Sequence, residues 1–75
     1  MFLSEIFAER LKQLRITNNL TLKELGENLN ATKATIGNLE NCNKKPSLEL
    51  ILLIADYFDV SLDYLVGRSD DPKRY

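Results

Sequence analysis

Few of the side chains that perform catalysis occur here in a usable arrangement. The 75-residue sequence has no histidine and a single cysteine, Cys42, so neither a Cys–His pair nor a His- or Cys-based metal set can be assembled within the chain. A glycine-rich phosphate loop is missing, and the carboxylates are scattered over positions that read as exposed helix faces. Enzyme activity is therefore not expected, and neither is a metal or a cofactor. What remains is charge. Residues 10–45 hold seven bases (Arg10, Lys12, Arg15, Lys23, Lys33, Lys44, Lys45) against three acids (Glu24, Glu27, Glu40), a net +4. Residues 1–9 carry −2 and residues 46–75 carry −3, so a whole-chain charge of −1 conceals a basic middle between acidic flanks. Such a middle is the electrostatic footprint of nucleic-acid binding, and it is equally compatible with an ordinary solvated surface.

The elements that must position these charges follow from composition and periodicity. With 44% apolar and 28% charged residues, three glycines and two prolines, the usage is that of a folded domain. A chain of this length supports one small core, with a net stability of about 3–5 kcal/mol. One cysteine cannot form an internal disulfide, which points to a reducing compartment, the cytoplasm. The longest apolar run, residues 50–55, falls far short of the ~20 residues a membrane span needs. The N-terminus lacks the basic-then-apolar order of a signal peptide.

Phe7, Leu11 and Leu14 recur at helical spacing and predict a first helix over residues 4–18, closed by Asn19 in a left-handed conformation. Thr21 is a good N-cap for a second helix with Leu22, Leu25 and Leu29 inward, ending at Asn30. Thr32 caps a third helix that buries Ile36 and Leu39 and ends near Cys42, before the polar, basic loop Asn43-Lys44-Lys45-Pro46. Ser47 caps a fourth helix reaching Phe58, read with Leu48, Ile51, Leu52, Ala55 and Phe58 inward. Asp59 turns the chain, Ser61 caps a short fifth helix with Leu62 and Leu65 inward, and Gly67 ends it. The fold expected is all-α, a compact five-helix domain over residues 7–67, followed by a flexible tail, residues 68–75.

Residues 22–41 are the informative stretch. Two short helices are separated only by Asn30 and Ala31; Gly26 sits where the third helix must cross the second closely; Leu25, Leu29, Ala31, Ile36 and Leu39 are all apolar. This is helix-turn-helix patterning.

With these residues in view, the sequence resembles the Cro and lambda-repressor-like regulators, the XRE type. The run Phe7-Ala8-Glu9-Arg10-Leu11-Lys12-Gln13-Leu14-Arg15 is similar to that family's first helix, Leu20-Thr21 through Leu25 to its second, and Thr35-Ile36 with Leu39-Glu40 to its third. Pro46-Ser47-Leu48 and Val60-Ser61-Leu62-Asp63-Tyr64-Leu65 resemble the starts of its fourth and fifth helices, so coverage extends over residues 7–67. The resemblance implies a sequence-specific DNA-binding transcriptional regulator, a repressor, that binds an operator as a homodimer with its third helix in the major groove. On that reading Lys33, Ala34, Thr35, Gly37 and Asn38 face the bases. Thr21, Leu22 and Thr32, through the backbone at helix starts, and Asn43, Lys44 and Lys45 after the third helix contact phosphates. The resemblance also pairs Arg15 with Glu40 as scaffolding.

Three residues depart from the family pattern. Leu22 stands where a glutamine is common, removing a phosphate-binding side chain. Cys42 stands where glycine is usual, which either costs about 1 kcal/mol in a left-handed conformation or shifts the helix ending; an inert thiol is preferred here to a redox sensor. Gly37 weakens the third helix by ~1 kcal/mol relative to alanine. In the fourth helix Leu50, Leu53 and Tyr57 form an i, i+3, i+7 stripe that wants a partner, read as a second copy or as another domain or protein, with extra core packing as the alternative. The alternatives that keep the fold are a protein-interaction module, with a protein co-regulator as its partner, or an antitoxin-type partner.

Overall fold

The computed structural model describes residues 4–74. Among them are five helices and no strand: α1 (Ser4–Thr17), α2 (Leu22–Asn28), α3 (Lys33–Glu40), α4 (Leu48–Phe58) and α5 (Leu62–Leu65). None is long and apolar enough to cross a membrane.

Local chemistry sets each boundary. Thr21 and Glu24 form a reciprocal capping box, in which the Glu24 N–H donates to Thr21 Oγ1 (3.1 Å) and the Thr21 N–H to Glu24 Oε1 (2.9 Å). The Thr21 backbone N–H first, and then the Thr21 hydroxyl, lower the Glu24 carboxyl from the ordinary carboxylate value. Thr32, Ser47 and Ser61 cap α3, α4 and α5 by accepting from Thr35, Leu50 and Tyr64 N–H groups. The exits use positive φ: Asn19 at 57°, Asn30 at 59°, Cys42 at 61°, Asp59 at 55° and Gly67 at 90°. Cys42 thus takes the left-handed position after α3, where the Asn43 N–H reaches back to Asn38 O (2.9 Å) and the Cys42 N–H to Leu39 O (3.3 Å).

The core joins every helix. Phe7 and Leu11 of α1 meet Leu25 and Leu29, Ile36 and Leu39, Ile54 and Ala55, and Leu65. Two expectations fail in α4 and α5. Leu48 and Leu52, read as inward, are exposed, Leu48 to 71%, and Leu62 is exposed as well. Ile54 and Val60, which the sequence reading passed over, are buried instead. A helix apolar on almost every side offers no periodic contrast, so the sequence fixes its existence but not its rotation.

The segment after Gly67 was read as a flexible tail, whereas residues 68–74 fold back on the domain. The Arg10 guanidinium stacks on the Tyr64 ring (4.1 Å to its centroid), donates to Tyr64 O and Ser69 O (2.7 Å), and pairs with Asp70 (2.9 Å). Farther on, the Ser61 N–H donates to Pro72 O (2.9 Å) and Arg74 pairs with Asp56 (2.7 Å). Tyr75, the last residue of the expected tail, lies outside the described residues. Arg10→Ala removes two charge-assisted bonds to carbonyls and a cation–π contact at once. It is expected to lower the unfolding free energy by about 2 kcal/mol in urea titration and to raise amide exchange over residues 68–74.

Candidate nucleic-acid interface

The α2–α3 unit is built around a close approach. A Cβ on Gly26 would stand 2.8 Å from Thr32 C, 3.0 Å from Thr32 O and 3.1 Å from Lys33 N, so only glycine lets α3 begin where it does. Ala31 N–H donates to Gly26 O (2.7 Å), and Asn30 turns the chain with positive φ between them. These constraints aim α3 while Ile36 and Leu39, both buried, anchor it in the core.

The far end of α3 is fixed by Arg15 and Glu40. Arg15 Nε donates to Glu40 Oε2 (2.7 Å) and Nη2 to Oε1 (3.1 Å), a bidentate fork, while Nη1 donates to Leu20 O (2.9 Å). Their side chains are only 14% and 6% exposed. The hydrogen bonds to Glu40 push the Arg15 guanidinium higher still, so it stays charged throughout the pH range in which proteins fold.

With the inner face so anchored, the outer face of α3 exposes Lys33, Ala34 and Asn38. Thr35 and Gly37 are half-buried. The Thr35 hydroxyl shares a hydrogen bond with Thr32 Oγ1 (2.9 Å), and a Cβ on Gly37 would face Leu22 Cδ1 at 3.9 Å. Of the residues assigned to phosphates, Asn43, Lys44 and Lys45 are exposed together beyond the end of α3. Leu22 packs its side chain against the core, and the Thr21 N–H is already given to Glu24. At the start of α2 the amides left to an anion are therefore those of Leu22 and Lys23, first-turn groups that a helix cannot satisfy internally.

The helix-turn-helix family model matches residues 11–65, nearly all of this framework. The chain belongs to the Cro/lambda-repressor-like, XRE-type helix-turn-helix family. It is similar to the HTH-type transcriptional regulator YobD of Bacillus subtilis (strain 168), 39% identical over 67 residues, which cover 89% of this chain and 60% of YobD. The HTH-type transcriptional regulator MJ0272 of Methanocaldococcus jannaschii is 34% identical over 62 residues, covering 83% of this chain and 94% of that one. Among solved structures, the P22 c2 repressor, crystallised with synthetic operator 9T, superposes with a TM-score of 0.79 at 22% identity over 85% of this chain and 97% of that chain. That likeness shows a shared fold. The chain spans about 60% of the length of YobD.

A second surface, of which the sequence shows only the apolar stripe on α4, adjoins the first. A groove of about 1150 Å³ runs between the α2–α3 turn and α4, with Leu50, Leu53 and Tyr57 along one wall and Glu27, Glu49 and Asp56 among its lining. Asn28 Nδ2 donates to the Tyr57 hydroxyl (2.9 Å), tying α2 to α4. Of the expected partner stripe, Leu53 and Tyr57 are exposed as predicted, but Leu50 is half-buried and packs on the core. Cys42 is exposed, with Sγ 3.7 Å from Ser4 O, and the described residues hold no cluster of three metal-ligating side chains.

Proposed function

We propose that this chain is the DNA-binding domain of a transcriptional repressor, reading the major groove with α3 as one half of a homodimer. The observation that carries it is the division of α3: Ile36 and Leu39 are buried while Lys33, Ala34 and Asn38 stand free on a helix whose start and end are both locked. An ammonium at Lys33 suits guanine O6 and N7, the Asn38 amide suits adenine N6 and N7 bidentately, and the Ala34 methyl suits the thymine methyl. Thr35 and Gly37 lie at the edge of this face and shape its approach. Asn43, Lys44 and Lys45 neutralise phosphates without reading sequence. The repressor acts on DNA in the cytoplasm.

For the second copy, the support is on the outer side of α4 and the start of α5. Leu48 and Leu52, one turn apart on α4, and Leu62 on α5 are exposed. Burying them in a two-fold interface gives the domain the apolar contact it lacks alone.

The test is selection from a random duplex library, followed by titration of the winning site. A pseudo-palindrome with half-sites about 34 Å apart is expected. Lys33→Ala and Asn38→Ala should each cost ~1–3 kcal/mol and relax preference at one base position, whereas Lys44→Ala should weaken all sequences alike and lower the salt slope by about 1. Failure to enrich any motif, with equal binding by all three variants, would overturn the reading.

A further inference from the structure

The exposed surface of α4 is split by charge. At about 100° per residue, Glu49 and Asp56 fall on one outward line, with Leu48 and Leu52 on one side of it and Leu53 and Tyr57 on the other. The second flank faces the groove against the α2–α3 turn. Among its described lining residues are three carboxylates, Glu27, Glu49 and Asp56, and neither lysine nor arginine. The chain already shows how this rim receives a cation: the Arg74 guanidinium sits on Asp56 at 2.7 Å and near Asp59 at 3.6 Å.

We propose that this groove docks a basic amphipathic helix of a partner protein. Apolar side chains at i, i+3 or i+4, and i+7 match the wall of Leu50, Leu53 and Tyr57, and flanking lysines or arginines meet Glu27 and Glu49. A second copy of this chain fits less well, because a two-fold axis through the groove would set like carboxylates against one another. One end of the groove is formed by Thr32 and Thr35, at the start of α3, so a docked partner lies alongside whatever α3 binds. The inference goes beyond the DNA-reading role and does not depend on it.

A helix-biased peptide library displayed on phage, panned against the intact chain, tests the proposal. Enriched peptides should be cationic with a single apolar stripe, and binding of the synthetic winner should weaken as salt is raised. Leu53→Ser, an exposed position, should weaken that peptide about tenfold, and so should Glu27→Gln combined with Glu49→Gln. Operator affinity measured on the same variants should hold, which separates this surface from the reading of α3. Failure to enrich, enrichment of acidic or neutral peptides, or affinity indifferent to these substitutions would overturn it. So would sedimentation showing that Leu53→Ser turns a dimer into a monomer, because a second copy would then fill the groove.

Discussion

Replacing Gly26 with valine is expected to remove at least ~3 kcal/mol of unfolding free energy, which takes a domain of this size, with about 3–5 kcal/mol in all, to the edge of unfolding at room temperature. The first added carbon would already lie 2.8 Å from Thr32 C and 3.0 Å from Thr32 O, and these are backbone atoms, which cannot swing aside as a side chain can. Nor is the backbone free to retreat. Ala31 N–H is bonded to Gly26 O at 2.7 Å, and Thr32 is committed to capping α3 through the Thr35 N–H. Alanine meets the same atoms but gains up to ~1 kcal/mol of helix propensity over glycine, so Gly26→Ala should lose only ~1–2 kcal/mol. Urea titration of the pair gives the order valine well below alanine, alanine below wild type. An alanine variant as stable as the parent would mean that the turn yields and that glycine does not set the crossing of α2 and α3.

How legible this was depends on the range of the interaction. Caps and turns are local, a matter of one side chain and the backbone within three residues, and Thr21, Thr32, Ser47 and Ser61 could be read directly as helix starts. Positive φ at Asn19 and Asn30 was legible for the same reason, and Asp59 and Gly67 were legible as a turn and a stop. Cys42 was legible only through the resemblance, since nothing intrinsic to cysteine favours φ of 61°. The rotation of α4 was not legible, because Leu50, Ile51, Leu52, Leu53 and Ile54 are interchangeable to any periodicity argument and only packing against the shared core, with α5 alongside, selects Ile54 and Ala55 for burial. The strap formed by residues 68–74 escaped for a different reason: its anchor, Arg10, is some sixty residues distant in sequence.

The interface divides in the same way. That α3 carries its polar residues outward follows from Ile36 and Leu39 at helical spacing, so Lys33, Ala34 and Asn38 could be placed on its outer face before any coordinates. The side positions could not. Thr35 is drawn into the Thr32 cap and Gly37 lies over Leu22, both consequences of how closely α2 and α3 cross. The acidic groove depends on bringing Glu27 of α2 and Glu49 of α4 to one place, which no spacing within either helix encodes.

Removing one member of the Arg15–Glu40 pair should cost about 3 kcal/mol, and removing both with matched apolar residues should cost much less. At 14% and 6% side-chain exposure, the pair lies in the regime where an orphaned charge, rather than the lost attraction, sets the loss. Arg15→Met strands the Glu40 carboxylate and also the Leu20 carbonyl that Nη1 satisfies, so it should be the worse single change; Glu40→Met leaves Arg15 with Leu20 O still in reach. The double variant Arg15→Met/Glu40→Met restores a neutral contact between α1 and α3, so with single losses of about 3 kcal/mol each and a double loss of about 1 kcal/mol, a double-mutant cycle should return a coupling of about 5 kcal/mol. Zero coupling would show that the two side chains act independently and that the fork does not hold α3. Stability and recognition then separate. A methionine pair can refill volume but cannot reproduce a planar fork, so the end of α3 keeps its burial and loses its orientation. The double variant should therefore unfold near the parent midpoint while its discrimination among duplex sequences falls, because Asn38 sits two residues before Glu40 on the face that this pair aims.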